Sequence, residues 1–345
     1  RGDLMSLRFA AIAWAFTASD ALLVGPLAPV GAASRCGVIK AQKYGDIVDP
    51  DLVSGTFVQD ELSATWARAG KGRELWKPGD KTDSVALDYQ LLWTTWKLNP
   101  PVLHAFDHCH LSTRCRLVLG WVGLPFKCNF HGYGAGADPN ECEGFGYDPE
   151  QGGVVPLTGS KVCPVLTAAG VPTEEGKTGL DDAMQICSFA AGVAKEGRIA
   201  PATGRDDLTA WLKQAKPILE GLERPRLLRM PIPDFADAKD VEYGRWALMQ
   251  DGFDLEKAEA ETPALLEALK PFLGELESML RGRDATYDNM PTLNAWGLSM
   301  DDALLLPALR SLTCVEGVTF PPLVLEYIET GCEAAGVGLF TEYAS

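Results

Sequence analysis

Residues 102–120 read VLHAFDHCHLSTRCRLVLG, and the fold is decided in this stretch. Val102–Phe106 is an apolar run of strand length that ends in a short polar turn, and from Arg116 to Leu119 a helical pattern opens with Leu117, Val118 and Leu119. This predicts a strand feeding a helix, with Cys109 at the junction. A helix N-terminus carries roughly half a positive charge and unpaired N–H groups, both of which favour thiolate over thiol and lower a cysteine pKa. Arg114 and Arg116 are expected to add to that field. Cys109 is therefore the candidate nucleophile, and a small buried cysteine at a strand end is the alternative.

The stretch DHCHLSTRCRLVLGWVGLPF (107–126) resembles the active-site segment of bacterial glutaredoxin 2, a family in which a glutaredoxin is fused to a glutathione-transferase-like helical domain. Downstream, GSKVCPVL (159–166) is similar to the segment around that family's cis-proline, with Pro164 in its place. DDAMQICSFA (181–190) is similar to the stretch after the last strand, where a helix N-terminus takes the γ-glutamyl end of glutathione. LSMDDALLLPALRSLTCVEGVTFPPLVLEYI (298–328) is similar to the close of the helical domain. Together the four landmarks, in the family's order, imply a thioredoxin-like α/β domain over 100–195 followed by an all-α glutathione-transferase-like domain over 205–345. They imply glutathione as the ligand, with Cys163 and Pro164 presenting backbone to it and Asp182 near its amine. In such a fold the tripeptide pairs with exposed main chain as an added strand.

The family's motif is C-P-Y-C, whereas this chain has Cys109-His110-Leu111-Ser112. A resolving thiol three residues on is what closes an intramolecular disulfide, and Ser112 stands in its place. Cys115 lies six residues on and would not face Cys109 in an ideal helix. Monothiol chemistry is what the resemblance leaves open. The family's Glu-Ser pair at the γ-glutamyl helix is replaced by Asp182-Ala183, and Cys163 replaces the usual Val. The glycine-rich stretch 132–153 lacks the G-K-[ST] ending of a phosphate loop and reads as an insertion. Among possible metal ligands only Cys128-x-x-His131 has a tight spacing of the zinc type, and no metal set is assigned.

Beyond this segment, helix signals dominate from about 205. Trp211, Leu212 and Leu219 mark one helix, the PIPDF run (231–235) a connector, and Thr262-Pro263 with Leu265, Leu266, Leu269, Leu273, Leu276 and Leu280 a capped amphipathic helix. Ser299 and Asp302 form an S-x-x-D capping pattern.

The 345 residues carry 31 Lys+Arg against 47 Asp+Glu, a net charge of −16, and no basic stretch suits a phosphate backbone, so nucleic acid is not an expected partner. Residues 1–99 carry 11 basic and 11 acidic side chains, so the whole excess lies in 100–345. That break marks 1–99 as an extension, expected to be mostly irregular with short helices, one of them over Asp60–Arg68 with Val58, Leu62 and Trp66 on one face. Within it, residues 9–33 (FAAIAWAFTASDALLVGPLAPVGAA) hold one charge, Asp20. Long apolar segments need covering by protein or lipid. With Arg at position 1, the reading is a cleaved leader and an organellar protein, the plastid (thylakoid) favoured over the mitochondrion. Two functions follow: a non-catalytic accessory subunit of a membrane complex such as a photosystem or respiratory complex, docked through 1–99 and touching protein or membrane through 9–33; or an active monothiol glutathione-dependent oxidoreductase using Cys109. The eroded motif favours the first.

Overall fold

In the computed structural model, described over residues 56–58, 95, 96, 98–150, 152–193 and 198–345, a short strand β1 (Thr56–Val58) joins three others. These are β2 (Val102–Ala105), β3 (Lys127–Phe130) and β4 (Val165–Thr167), in the order β1-β3-β2-β4. Helix α1 (His110–Trp121) crosses from β2 to its parallel neighbour β3. β4 runs antiparallel to β2, with His104 opposite Val165 and Val102 opposite Thr167, and β1 runs antiparallel to β3. The sheet thus takes a strand from the N-terminal extension. Val58, read as part of a helical face with Leu62 and Trp66, is in that strand. The expected helix 60–68, the apolar segment 9–33 and Asp20 lie outside the described residues.

Side chains alternate across a strand. Leu103, Ala105, Cys128 and Phe130 are buried on one face of the sheet. The Arg116 guanidinium sits 5.1 Å from the Phe130 ring centroid, which places α1 on that side. Val102, His104, Lys127 and Asn129 on the other face are only half-buried. Residues 131–150 and 152–154 are turns and irregular backbone, followed by the single-turn helix α2 (Val155–Thr158). Helix α3 (Ala183–Val193) packs beside α1. Trp96, buried at the end of the extension, donates its indole N–H to the Ala169 carbonyl at 3.0 Å and meets Phe189 of α3 edge-on.

The helix after Cys109 begins at His110, six residues earlier than the apolar pattern at Arg116 suggested. Its first turns are polar in sequence yet buried: Ser112, Thr113, Arg114 and Arg116 are all enclosed. They find partners on several elements: Ser112 accepts the Phe106 N–H, Arg114 donates to the Met184 sulfur, Arg116 pairs with Asp107, and Thr113 accepts from Arg310 of the second domain. Buried polar groups persist where they are hydrogen-bonded.

The second domain runs through α4 (Asp206–Leu227), a 3-10 turn at Pro233–Phe235, α5 (Ala238–Gln250), α6 (Leu255–Ala260) and α7 (Thr262–Met279). A two-stranded hairpin, β5 (Gly282–Asp284) and β6 (Met290–Thr292), then leads to α8 (Met300–Leu312) and α9 (Pro322–Ala335). Leu269, Leu273 and Leu276 of α7 are buried as their spacing predicts. The Asp302 carboxylate accepts the Ser299 backbone N–H at 2.8 Å and its hydroxyl at 2.9 Å, the reciprocal cap read from S-x-x-D. Burial pushes the Asp302 carboxyl up to about 6. Both α8 and α9 pack on α1. Gly120 is where α1 meets α9: a Cβ there would lie 2.2 Å from the Ala335 carbonyl oxygen. Next to it, Trp121 donates its indole N–H to Gly331 at 2.8 Å. Among the described residues no helix is long and apolar enough to cross a membrane.

Candidate active site at the N-terminus of the first helix

Cys109 is the N-cap of α1, half-buried, with its backbone in the extended region. Its own N–H donates to the Phe106 carbonyl at 3.3 Å, which closes the turn between β2 and α1. The Ser112 backbone N–H and hydroxyl and the Leu111 N–H favour the thiolate electrostatically, although the Cys109 side chain makes no capping hydrogen bond to the helix. The Ser112 oxygen in turn accepts the Phe106 N–H at 3.3 Å. Ser112, at the place of the family's second cysteine, is thus held by the backbone of the β2–α1 turn.

The electrostatic expectation is corrected here. Burial raises the Cys109 thiol above its ordinary value; the Ser112 and Leu111 donors pull it down, and the Asp234 carboxylate pushes it further up. Neither arginine supplies the expected field. Arg116 ion-pairs with Asp107, and Arg114 donates to the Met184 sulfur at 3.4 Å. Helix-terminal donors are present, but removing water from the thiolate outweighs them.

The Cys163–Pro164 bond is cis, as the landmark reading placed it. Extending the β2–β4 register by one pair on the same face sets Cys163 opposite Phe106, one turn before Cys109. Its backbone N–H and C=O have no hydrogen-bond partner among the described residues. Its thiol is pushed well up by burial, next by Cys109. Beside it, the Lys161 ammonium lies 5.2, 4.7 and 4.6 Å from the ring centroids of Phe106, Tyr133 and Tyr243, and burial lowers it to about 8. Cys109, Ser112, Cys163 and Pro164 are therefore gathered at one end of the sheet. Asp182 is at the start of α3, where its exposed carboxylate caps the helix by accepting the Gln185 N–H at 2.7 Å; the second oxygen is not used in that bond. Cys115 points away from Cys109 and donates its S–H to the Ala183 carbonyl at 3.5 Å.

A layer of buried charge beneath Cys109 escaped the sequence reading. Asp234, in the PIPDF connector, accepts the backbone N–H groups of Asp107 and His108 at 2.9 and 2.8 Å and the His108 Nδ1 at 2.6 Å. On the other side of the cysteine, His110 Nε2 lies 3.1 Å from Glu223 of α4 and 2.9 Å from the Ser311 hydroxyl of α8. Arg310 donates to the Asp107 carbonyl and carboxylate at 2.8 and 2.9 Å and to Thr113 at 3.2 Å. Burial alone would raise the Asp107 carboxyl, but Arg310 and Arg116 prevail and hold it below the ordinary range. The residues on both sides of the nucleophile are thus fixed by the second domain.

The tight Cys128-x-x-His131 pair does not converge. Cys128 is buried on the α1 side, its thiol raised to about 12 by burial. His131 lies on the opposite face, stacked on His104 with Nε2 2.9 Å from His104 Nδ1. Among the described residues no three His, Cys, Asp or Glu side chains converge as a metal set.

Residues 207–344 match the family model described as glutaredoxin 2, C terminal domain. Among solved structures, glutaredoxin 2 from Salmonella typhimurium in complex with glutathione aligns at a TM-score of 0.57 and 19% identity, over 71% of this chain and 99% of its own. A glutathione S-transferase from Xylella fastidiosa aligns at 0.40 and 14% identity, over 69% and 99%. A glutathione transferase homologue from Sulfitobacter with bound glutathione aligns at 0.37 and 16%, over 69% and 94%. No curated protein matches the chain by sequence. Residues 207–344 are thus similar to the glutaredoxin 2 C-terminal domain, and the body of the chain has the fold of glutaredoxin 2, a thioredoxin-like domain carrying a glutathione-transferase-like helical domain.

Proposed function

We propose that the body of this protein is a glutathione-binding thiol–disulfide oxidoreductase of monothiol type, with Cys109 as its nucleophile. One observation carries the reading: a half-buried thiol at a helix N-cap, whose thiolate the Ser112 and Leu111 donors favour, lies beside a Cys163 backbone whose N–H and C=O have no hydrogen-bond partner among the described residues. A buried amide without a partner is costly, and an extended thiol peptide supplies the missing partners while placing its sulfur against Cys109. The glutathione complex of glutaredoxin 2 supports glutathione as that peptide.

In the reaction, the Cys109 thiolate attacks the glutathionyl sulfur of a mixed disulfide RS–SG. The S–S bond breaks, RS⁻ leaves and takes up a proton, and glutathione remains on Cys109. A second glutathione thiolate attacks the sulfur of the bound glutathione, releasing glutathione disulfide and restoring the Cys109 thiolate. The Leu111 and Ser112 N–H groups and the Ser112 hydroxyl stabilise Cys109 each time it carries charge, as attacker and as leaving group. Asp182 is the side chain nearest in role to a γ-glutamyl amine partner. With Ser112 at the fourth position of the motif, no cysteine there competes with the second glutathione.

The accessory-subunit reading, with its organellar membrane location, takes its support from the 9–33 sequence, the charge break and the loss of the second motif cysteine at Ser112. One assay separates the two. Full-length protein is tested for glutathione-dependent reduction of a small glutathionyl mixed disulfide. Turnover that disappears in Cys109→Ser with an unchanged melting temperature supports the enzyme; no turnover above the uncatalysed rate favours the accessory role.

A further inference from the structure

Away from the Cys109 site, α1 and α3 bring two more thiols into contact. Cys115 on α1 and Cys187 on α3 have their sulfurs 4.0 Å apart. Both are fully enclosed, and both are free thiols. Their local bonds orient them toward each other: the Cys115 S–H is directed to the Ala183 carbonyl one turn before Cys187, and the Cys187 S–H is directed to the Cys115 sulfur. Cys142, by contrast, donates to the Asp138 carbonyl at 2.8 Å. Closing 4.0 Å to a disulfide bond of about 2.05 Å asks for about 2 Å of sulfur movement, within reach of side-chain rotation and small helix adjustment.

We propose that Cys115 and Cys187 are a redox modification site, joined by a small hydroperoxide such as hydrogen peroxide into a disulfide that staples α1 to α3. One sulfur attacks the peroxide O–O bond, which breaks to give a sulfenic acid and water. The second sulfur then attacks the sulfenic sulfur and displaces hydroxide, which takes up the remaining thiol proton. Two thiols and one peroxide give one disulfide and two waters; the sulfurs lose two electrons and the peroxide oxygens gain them. Burial decides the oxidant. A glutathionyl group cannot be accommodated on a sulfur with no exposed surface, whereas peroxide is of water size. Burial, and then the Cys187 contact, holds the Cys115 thiol well above its ordinary value, so the pair oxidises more slowly than an accessible thiolate and responds to sustained exposure.

The consequence lies at the helix ends. Helix α1 starts at Cys109 and α3 starts at the Asp182 cap, so the staple fixes the two helices that open onto the candidate site, without using either site residue. The inference does not depend on Cys109 being catalytic.

The test uses the full, reduced chain treated with hydrogen peroxide, quenched by alkylation in denaturant and mapped by non-reducing proteolysis. The expected product is a cross-linked peptide pair holding Cys115 and Cys187. It should also form in Cys109→Ser, be absent from Cys115→Ala and Cys187→Ala, and revert with dithiothreitol. The oxidised protein should melt several degrees higher than the reduced one, because the bond closes a long loop in the unfolded chain. Reduced-state melting of the two alanine variants reports any packing defect separately. The proposal is overturned if Cys115 and Cys187 are both recovered as free thiols once Cys109 is fully oxidised, or if Cys115 is found joined to Cys109 instead.

Discussion

Asp234→Asn removes one buried negative charge from beneath Cys109 while keeping the side-chain shape. The wild-type carboxylate accepts three hydrogen bonds, at 2.9, 2.8 and 2.6 Å, from the two residues that precede the nucleophile. It is also one of the groups that raise the Cys109 thiol. With one residue between the bonded His108 N–H and the sulfur, the charge sits roughly 7 Å away by chain geometry. At that separation an effective dielectric of about 20 gives repulsion of about 2 kcal/mol or less against the thiolate. The charges facing the thiol from other elements remain: Asp107 neutralised by Arg116 and Arg310, His110 on Glu223, and Lys161 near Cys163. The assay is the rate of Cys109 alkylation by iodoacetamide from pH 6 to 11, quantified on its own peptide. In the wild type the rate should still be climbing above pH 9; in Asp234→Asn the inflection should fall, so alkylation at pH 7.5 should rise by about tenfold. The asparagine amide also opposes one N–H donor, so the variant should lose about 1–3 kcal/mol of stability in urea. An unchanged or higher inflection in a folded Asp234→Asn protein would refute the reasoning, since a purely structural role for Asp234 would lower stability without moving the thiol downward.

Ser112→Ala should move the inflection the opposite way, because Ser112 contributes both a backbone and a hydroxyl donor to the sulfur and the hydroxyl one is lost; alkylation at pH 8 should slow about three- to tenfold. Gly120→Ala should cost about 2–4 kcal/mol in urea unfolding, since its methyl would need the space of the Ala335 carbonyl and the helices would have to part. The pH dependence of stability has two opposing parts. His104 and His131 are lowered to about 4 by burial, so the unfolded chain binds more protons between about 4 and 6.5, and stability rises with pH there. Burial raises Asp240 and Asp302 to about 6, so the folded chain binds more protons between about 4 and 6, and stability falls with rising pH. Replacing both histidines with asparagine should remove the first part, and melting scans should then show stability falling from pH 4 to 6.

What the sequence made legible was local. The cis-proline segment, the Ser299–Asp302 cap, the α7 leucine face and the thiol at a strand–helix junction all depend on neighbours within a few residues, and each is where its pattern placed it. What it hid was long-range. Asp234 reaches His108 across 126 positions, Glu223 reaches His110 across 113, and Arg310 reaches Asp107 across 203. A polar run such as HLSTR therefore reads as a turn, although buried partners make it helix, and α1 starts at His110 rather than Arg116. The same burial reverses the expected effect on the Cys109 thiol: residue spacing shows donors and charges, but not the loss of water around them. A charged PIPDF connector carries one weak signal, an aspartate between prolines and aromatic rings where solvent exposure is the usual assumption. The strand at Thr56–Val58 pairs with β3 across about seventy residues, beyond any local pattern.

A crystal structure of the Cys109–glutathione mixed disulfide tests the central claim most directly. The account predicts the tripeptide bound through Cys109, with its cysteinyl N–H and C=O hydrogen-bonded to the Cys163 backbone. A glutathione attached elsewhere, or held at Cys109 with the Cys163 N–H and C=O still unpaired, would contradict it.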